Sequence, residues 1–201
     1  MKRIIAVLIC AFLLIPSCAV YAADYSGHWA EEAINLLISE DIISGNSNGS
    51  INPEGYITRA EFVKITNRVF EYTSESDEQF PDVSSEKWYA KEFKIAKKAG
   101  YITGDNYGNA NPEKQITRAE VCVAWARSLK LNTSNKEYTG FKDDSNIAEW
   151  AKGSINAMKS LGVISGYTDN TFKSSNLMKR CEIFSVSSKL LKDPTLMQPV
   201  S

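Results

Sequence analysis

Three arginines carry the clearest chemical signal in the chain. Arg59, Arg118 and Arg180 each lie 30 residues after a tryptophan, Trp29, Trp88 and Trp150, and a glycine follows each tryptophan by 16 residues, at Gly45, Gly104 and Gly166. A guanidinium is a planar fork of donors suited to a carboxylate or phosphate. An indole offers apolar area together with an N–H donor, a combination that can stack on a sugar face. The arginines fall in the first turn of an expected helix, where a cation gains nothing from the helix dipole. Their recurrence there points to another task. They could receive an anion beside the free amides of a helix start, or pair with an acidic residue of a neighbouring unit. The tryptophans could serve equally as packing anchors.

Other candidate groups are weaker. Asn46-Ser47-Asn48-Gly49, Asp105-Asn106-Tyr107-Gly108-Asn109 and Tyr167-Thr168-Asp169-Asn170 resemble pieces of calcium loops. They lack the twelve-residue ligand pattern that closes on a bidentate glutamate, so tight turns are expected. His28, the sole histidine, has no second histidine or cysteine at ligand spacing and is expected in a solvated turn. No serine sits in a nucleophile elbow, and no glycine-rich phosphate loop follows a strand. The carboxylate pairs Glu31-Glu32 and Asp143-Asp144 read as solvent-facing or capping groups. Catalysis has no positive signal, and no cofactor or metal is implied.

These residues must be positioned by repeated elements. Three markers held in register three times define a repeat. Ile57-Thr58-Arg59-Ala60-Glu61 recurs letter for letter as Ile116-Thr117-Arg118-Ala119-Glu120 and, altered, as Met178-Lys179-Arg180-Cys181-Glu182. Asn52-Pro53-Glu54 and Asn111-Pro112-Glu113 precede the first two, with Lys173-Ser174-Ser175 in the third. The expected units are residues 23–79, 80–140 and 141–201, each a helix, a loop and a helix.

In the first helix of copy one, Trp29, Ala33, Leu36 and Leu37 share a face at helical spacing; Trp150, Ile155, Met158 and Leu161 do so in copy three, with Asn146 and Glu149 as a capping box. The helix is expected to end as Gly45, Gly104 and Gly166 arrive, with Gly100 and Gly162 already marking the exit in the last two copies. Thr58 with Glu61 and Thr117 with Glu120 form capping boxes for the second helix, with Ile57 and Ile116 placed as hydrophobic staples. Lys179 lacks the hydroxyl of a threonine cap, which predicts a weaker start by about 1 kcal/mol. Cys122 reads as a core position and Cys181 as a small-residue position, with a disulfide between them an open alternative. A single hairpin cannot bury its apolar pieces. The units must therefore pack together, around an approximate threefold axis or as an open solenoid.

The N-terminus speaks to compartment. Lys2 and Arg3 precede an apolar run from Ile4 to Ile15 and small residues before Ala22-Ala23, the pattern of a secretory signal over residues 1–22. The run is too short for a comfortable membrane span. Ile15-Pro16-Ser17-Cys18 loosely resembles the approach to a lipid-modified cysteine, with Pro16 against the pattern, so lipidation at Cys18 is the lesser alternative. Cleavage removes Lys2 and Arg3 from 23 basic residues, leaving 21 against 24 acidic ones. That balance argues against a nucleic-acid partner.

Taken together, the tryptophan-led helix, the Ile-Ser-Gly or Ile-Thr-Gly segment, Asn-Pro-Glu and Ile-Thr-Arg-Ala-Glu resemble the S-layer homology family. The resemblance implies an all-α, three-pronged pseudo-threefold module with the motif helices central and grooves between repeats. It also implies non-covalent anchoring to the bacterial cell wall through secondary cell wall polysaccharide, often by a pyruvate ketal on an amino sugar. Matching positions make Arg59, Arg118, Arg180, Trp29, Trp88, Trp150, Gly45, Gly104 and Gly166 the implied glycan-binding set. The third copy departs from the pattern at Lys179, Cys181 and the missing Asn-Pro, which places its ligand role below its architectural one. The alternative is an envelope module that binds another protein.

Overall fold

The computed structural model describes residues 23–197. The expected signal segment and Cys18 lie outside the described residues. Six helices run in order: α1 (Glu31–Ser39), α2 (Arg59–Val69), α3 (Ala90–Ala99), α4 (Arg118–Ser128), α5 (Glu149–Ser160) and α6 (Arg180–Lys192). Short 3-10 turns occupy Asp144–Asn146 and Pro194–Met197. Each repeat thus supplies a helix pair, but the helices of a pair do not pack on each other. The leading helix packs on the second helix of the preceding repeat: α3 on α2, α5 on α4, and α1 on α6. The last of these contacts joins the first repeat to the third. The array therefore closes on itself, which excludes the open solenoid.

Closure is drawn in the backbone at the axis. Ile57 donates its amide to Met178 O (3.1 Å), Met178 to Ile116 O (2.9 Å) and Ile116 to Ile57 O (3.2 Å). All three residues are buried. Buried amides need partners, and here the residue just before each motif helix finds one in the neighbouring repeat. The predicted staple isoleucines are thus ring-closing residues of the axis. Around them lies one continuous core that includes Phe62, Phe93, Trp125, Phe172 and Phe184. Trp125 packs on Phe62 with ring centroids 5.3 Å apart, and its Nε1 donates to Thr66 Oγ1 (3.1 Å).

Three local expectations are corrected. The leading helices begin later than their tryptophans suggest: α1 starts at Glu31 and α3 at Ala90, so Trp29 and Trp88 stand ahead of the helix. The buried face is Ala30, Ile34 and Leu37 in copy one and Ala151, Ile155 and Met158 in copy three, while Trp29, Trp88 and Trp150 are 64%, 57% and 57% exposed. The predicted Asn146–Glu149 box does not form, because Ala148 caps α5 and Asn146 ends a 3-10 turn. The helices stop at Ser39, Ala99 and Ser160, several residues before Gly45, Gly104 and Gly166. Gly100 and Gly162 make the left-handed turns out of α3 and α5 as expected (φ 80° and 71°), and Asp41 makes it out of α1 (φ 54°).

Both threonine capping boxes form as predicted. Thr58 Oγ1 accepts from Glu61 N and Thr117 Oγ1 from Glu120 N, while each glutamate accepts from the cap amide (2.9 and 2.8 Å). At α6 half of the box survives, since Lys179 N still donates to Glu182 Oε2 (2.8 Å). The lysine ammonium reaches Glu54 in the first repeat instead.

Candidate functional site

Each motif arginine is the first residue of its helix and leans across the seam into the next repeat. Arg59 Nε donates to Ala110 O (2.7 Å), Arg118 Nε to Phe172 O (3.0 Å) and Arg180 Nε to Ile51 O (2.8 Å). A second nitrogen meets the glutamate of the neighbouring capping box: Arg59 with Glu120 (3.3 Å), Arg118 with Glu182 (3.3 Å), Arg180 with Glu61 (2.5 Å). The glutamate divides its oxygens. Oε2 caps its own helix and Oε1 takes the neighbour's guanidinium. Three ion pairs therefore run in a closed circuit. The neighbouring-repeat ion pair is the geometry adopted.

The helix starts are not open anion nests. Arg59 N and Ala60 N donate to Lys114 O and Pro112 O, Arg118 N and Ala119 N to Asn176 O and Ser174 O, and Arg180 N and Cys181 N to Gly55 O and Pro53 O. Carbonyls from the neighbouring turn occupy the amides that the sequence left free. Other carbonyls of the neighbouring repeat, Ala110 O, Phe172 O and Ile51 O, accept from the guanidiniums and offset the poor fit of a cation to a helix N-terminus. Burial lowers the pKa of Arg59 from its ordinary value, against the opposing pull of Glu120, Asp82 and Asp105.

Three grooves follow the seams, and every groove draws on all three repeats. One is lined by Arg59, the 102–106 loop and Trp150, with a volume of about 560 Å³. Another is lined by Arg118, the 162–165 loop and Trp29, at about 420 Å³. The third is lined by Arg180, the 42–46 loop and Trp88, at about 180 Å³. The predicted arginines and tryptophans are thus brought together, but each pair comes from two different repeats. Gly45 and Gly104 line their grooves, whereas Gly166 packs against Phe141 behind the third loop. The glycines are required by close approach: a Cβ on Gly45 would lie 2.5 Å from Gly49 O, and one on Gly166 would lie 2.5 Å from Phe141 Cε1.

Two sets of positioning residues escaped the sequence reading. Asp24, Asp82 and Asp143 each accept two consecutive backbone amides of the turn before the motif helix, at Ile51 and Asn52, Ala110 and Asn111, and Phe172 and Lys173. Their distance to the tryptophan drifts from five to six to seven residues, so a fixed-register search passes over them. Arg68, Arg127 and Lys189 do hold register, nine residues after each motif arginine, and they donate to the carbonyls that follow the leading helix of their own repeat. That spacing was a usable signal.

The closing seam gathers His28, Glu54, Cys181 and Lys179. His28 Nε2 lies 2.8 Å from Glu54 Oε1, and Cys181 Sγ 3.7 Å from the same oxygen. His28 is therefore a seam residue rather than a solvated one. Its Nδ1 accepts from Ala30 N (3.1 Å), which places the ring proton on Nε2, facing Glu54. That tautomer suits a hydrogen bond and opposes a metal at Nε2. Cys122 and Cys181 are both buried free thiols. Burial pushes the Cys122 thiol up to about 12, and burial with the nearby Glu54 and Glu182 pushes that of Cys181 up to about 11.

The calcium-like loops close as tight turns. Asn46 N and Ser50 O, Asp105 N and Asn109 O, and Tyr167 N and Thr171 O are paired at 2.8–2.9 Å. No helix among the described residues is long and apolar enough to cross a membrane.

This geometry can be set beside known proteins. The model of the S-layer homology domain matches three times, at residues 23–63, 79–122 and 140–182. The chain is 33% identical over 174 residues to exoglucanase XynX of Acetivibrio thermocellus, covering 84% of this chain and 16% of that protein. It is equally similar to an amylopullulanase of Thermoanaerobacterium thermosulfurigenes, covering 9% of that protein. It is 30% identical over 142 residues to the surface-layer 125 kDa protein of Lysinibacillus sphaericus, covering 71% of this chain and 12% of that protein. The chain thus spans less than a fifth of the length of these curated relatives. What it shares with them is an all-α module of a kind that binds cell-wall components at the bacterial envelope. With three matched copies covering most of its described length, the chain belongs to the S-layer homology domain family.

Proposed function

We propose that the protein is exported, with residues 1–22 removed as a signal segment, and that its three repeats hold it non-covalently to the cell wall by binding an acidic, pyruvylated amino sugar of secondary cell wall polysaccharide. The observation that supports this most is that each seam groove combines a guanidinium with an exposed indole supplied by a different repeat. Each of these indoles is more than half exposed and stands at the rim of its groove, within reach of a bound sugar. A ketal-bearing sugar presents a carboxylate to the first group and an apolar ring face to the second. Gly45 and Gly104 line two of the grooves and let each loop close tightly on itself there.

Cosedimentation with purified cell walls tests this reading against recognition of an envelope protein. Binding is expected to survive protease treatment of the walls and to disappear once their polysaccharide is extracted. Retention on polysaccharide-free walls would favour a protein partner and refute the glycan reading.

A further inference from the structure

The three grooves share a plan but differ in which groups remain available. In the Arg118 groove the guanidinium is saturated: Nε donates to Phe172 O, one terminal nitrogen meets Glu182, and the other donates to Ser165 O (3.1 Å). The rings of Tyr167 and Phe172 flank it at 4.7 and 4.9 Å. Lys189, the other cation there, donates to Gly162 O. In the Arg180 groove the space is the smallest of the three, and Lys64 Nζ sits 5.5 Å from the ring centre of Trp88, over the face a sugar would need.

Among the described residues Arg180, like Arg59, has a terminal nitrogen without a partner, and Trp29 carries no cation. The Arg59 groove alone joins a free nitrogen, an uncovered indole and ample space. It is the largest of the three. Arg59 engages Ala110 O and Glu120 through Nε and Nη1, and Nη2 has no partner among the described residues. Lys114 approaches Glu120 only at 4.0 Å, beyond hydrogen-bond reach. Arg127 also lines this groove but is held by Tyr101 O and Thr103 Oγ1, as Lys189 is by Gly162 O. The acids nearby are already engaged: Asp105 by the amides of Tyr107 and Asn109 and by Asn111, and Glu120 by its cap and Arg59. No cation covers Trp150 among the described residues.

We infer that the grooves are unequal and that the Arg59 groove is the carboxylate-sugar site, with Arg59 and Lys114 taking the carboxylate and Trp150 the ring face. The inference rests on the proposed glycan-binding function. It gives the third repeat a direct ligand role through Trp150, although its own motif is the altered one. It also assigns the intact Arg118 motif to structure.

The test follows the four indole N–H resonances of the chain from residue 23 by NMR, assigned by single Trp→Phe substitutions, during titration with a wall oligosaccharide carrying a pyruvate ketal. The Trp150 resonance is expected to move and saturate at one ligand per chain, with Trp29 and Trp88 unmoved at the same concentrations. Lys114→Gln is expected to weaken the Trp150 isotherm at least fivefold with an unchanged unfolding midpoint. Comparable movement of Trp29 or Trp88, two or three ligands per chain, or an unaltered Lys114→Gln isotherm would overturn the inference while leaving glycan binding intact. No movement of any indole would overturn both.

Discussion

Arg180 and Glu61 lie 119 residues apart in sequence and 2.5 Å apart in space. This pair joins the last motif helix to the first, and with Arg59–Glu120 and Arg118–Glu182 it completes a circuit in which every motif glutamate serves two helices. One carboxylate oxygen caps a helix and the other fastens a neighbour. The Thr-Arg-Ala-Glu element is therefore a joint as well as a helix start. Its arginine and glutamate are complementary because the repeats close in a ring.

Removing a buried member of that circuit leaves its partners unsatisfied. Arg118→Ala strands Phe172 O, Ser165 O and the Glu182 oxygen in a seam where the arginine side chain is 8% exposed. A loss of about 3 kcal/mol is expected, read as a lower urea midpoint with far-UV helicity retained in native buffer. An unchanged midpoint would mean that the seam does not depend on this guanidinium.

The third repeat carries a correctable strain. Asn52, Asn111 and Lys173 occupy equivalent left-handed positions with φ of 51°, 53° and 56°. Asparagine tolerates that region better than lysine does. Lys173→Asn is expected to raise stability by about 0.5–1 kcal/mol, even after loss of the exposed contact with Asp169. Thermal unfolding measures this, and a lowered midpoint would show that the lysine contacts outweigh the backbone strain.

Acid should loosen the closing seam and the turn that leads into α5. Lys179 and His28 hold the Glu54 carboxyl at about 2 against an ordinary 4.5, and Lys152 with Thr139 holds Asp144 at about 2 against 3.8. Depressed folded values mean the contribution is fully present above the unfolded values and is lost as pH falls through the folded ones. Stability is therefore expected to decline from about pH 4.5 towards pH 2. Urea midpoints across that range should fall less steeply in Glu54→Gln than in the parent, and parallel curves would remove Glu54 from the account.

The sequence shows the repeat, the motif helices and the two intact capping boxes because these are local: a threonine, a glutamate three residues on and a periodic stripe suffice. It does not show which helix packs on which, since an apolar face such as Ile34 and Leu37 demands a partner without naming it. The partner of α1 turns out to be α6. Helical spacing puts Trp29 and Trp150 on the apolar face, yet both are exposed: α1 begins two residues after Trp29, and Trp150 sits in the first turn of α5, where one residue of register turns a side chain away from the core. The free amides beside each arginine were legible only as unpaired groups. Their partners, such as Pro112 O and Lys114 O, come from a neighbouring repeat.

The central claim is that a seam groove recognises the carboxylate of an acidic wall sugar. Calorimetric titration of the chain from residue 23 with native wall polysaccharide, and with the same polysaccharide after mild removal of its pyruvate ketals, tests that claim most directly. The account predicts saturable binding of the native glycan that weakens with salt and falls at least tenfold on depyruvylation. Equal, salt-insensitive binding of both forms would contradict it.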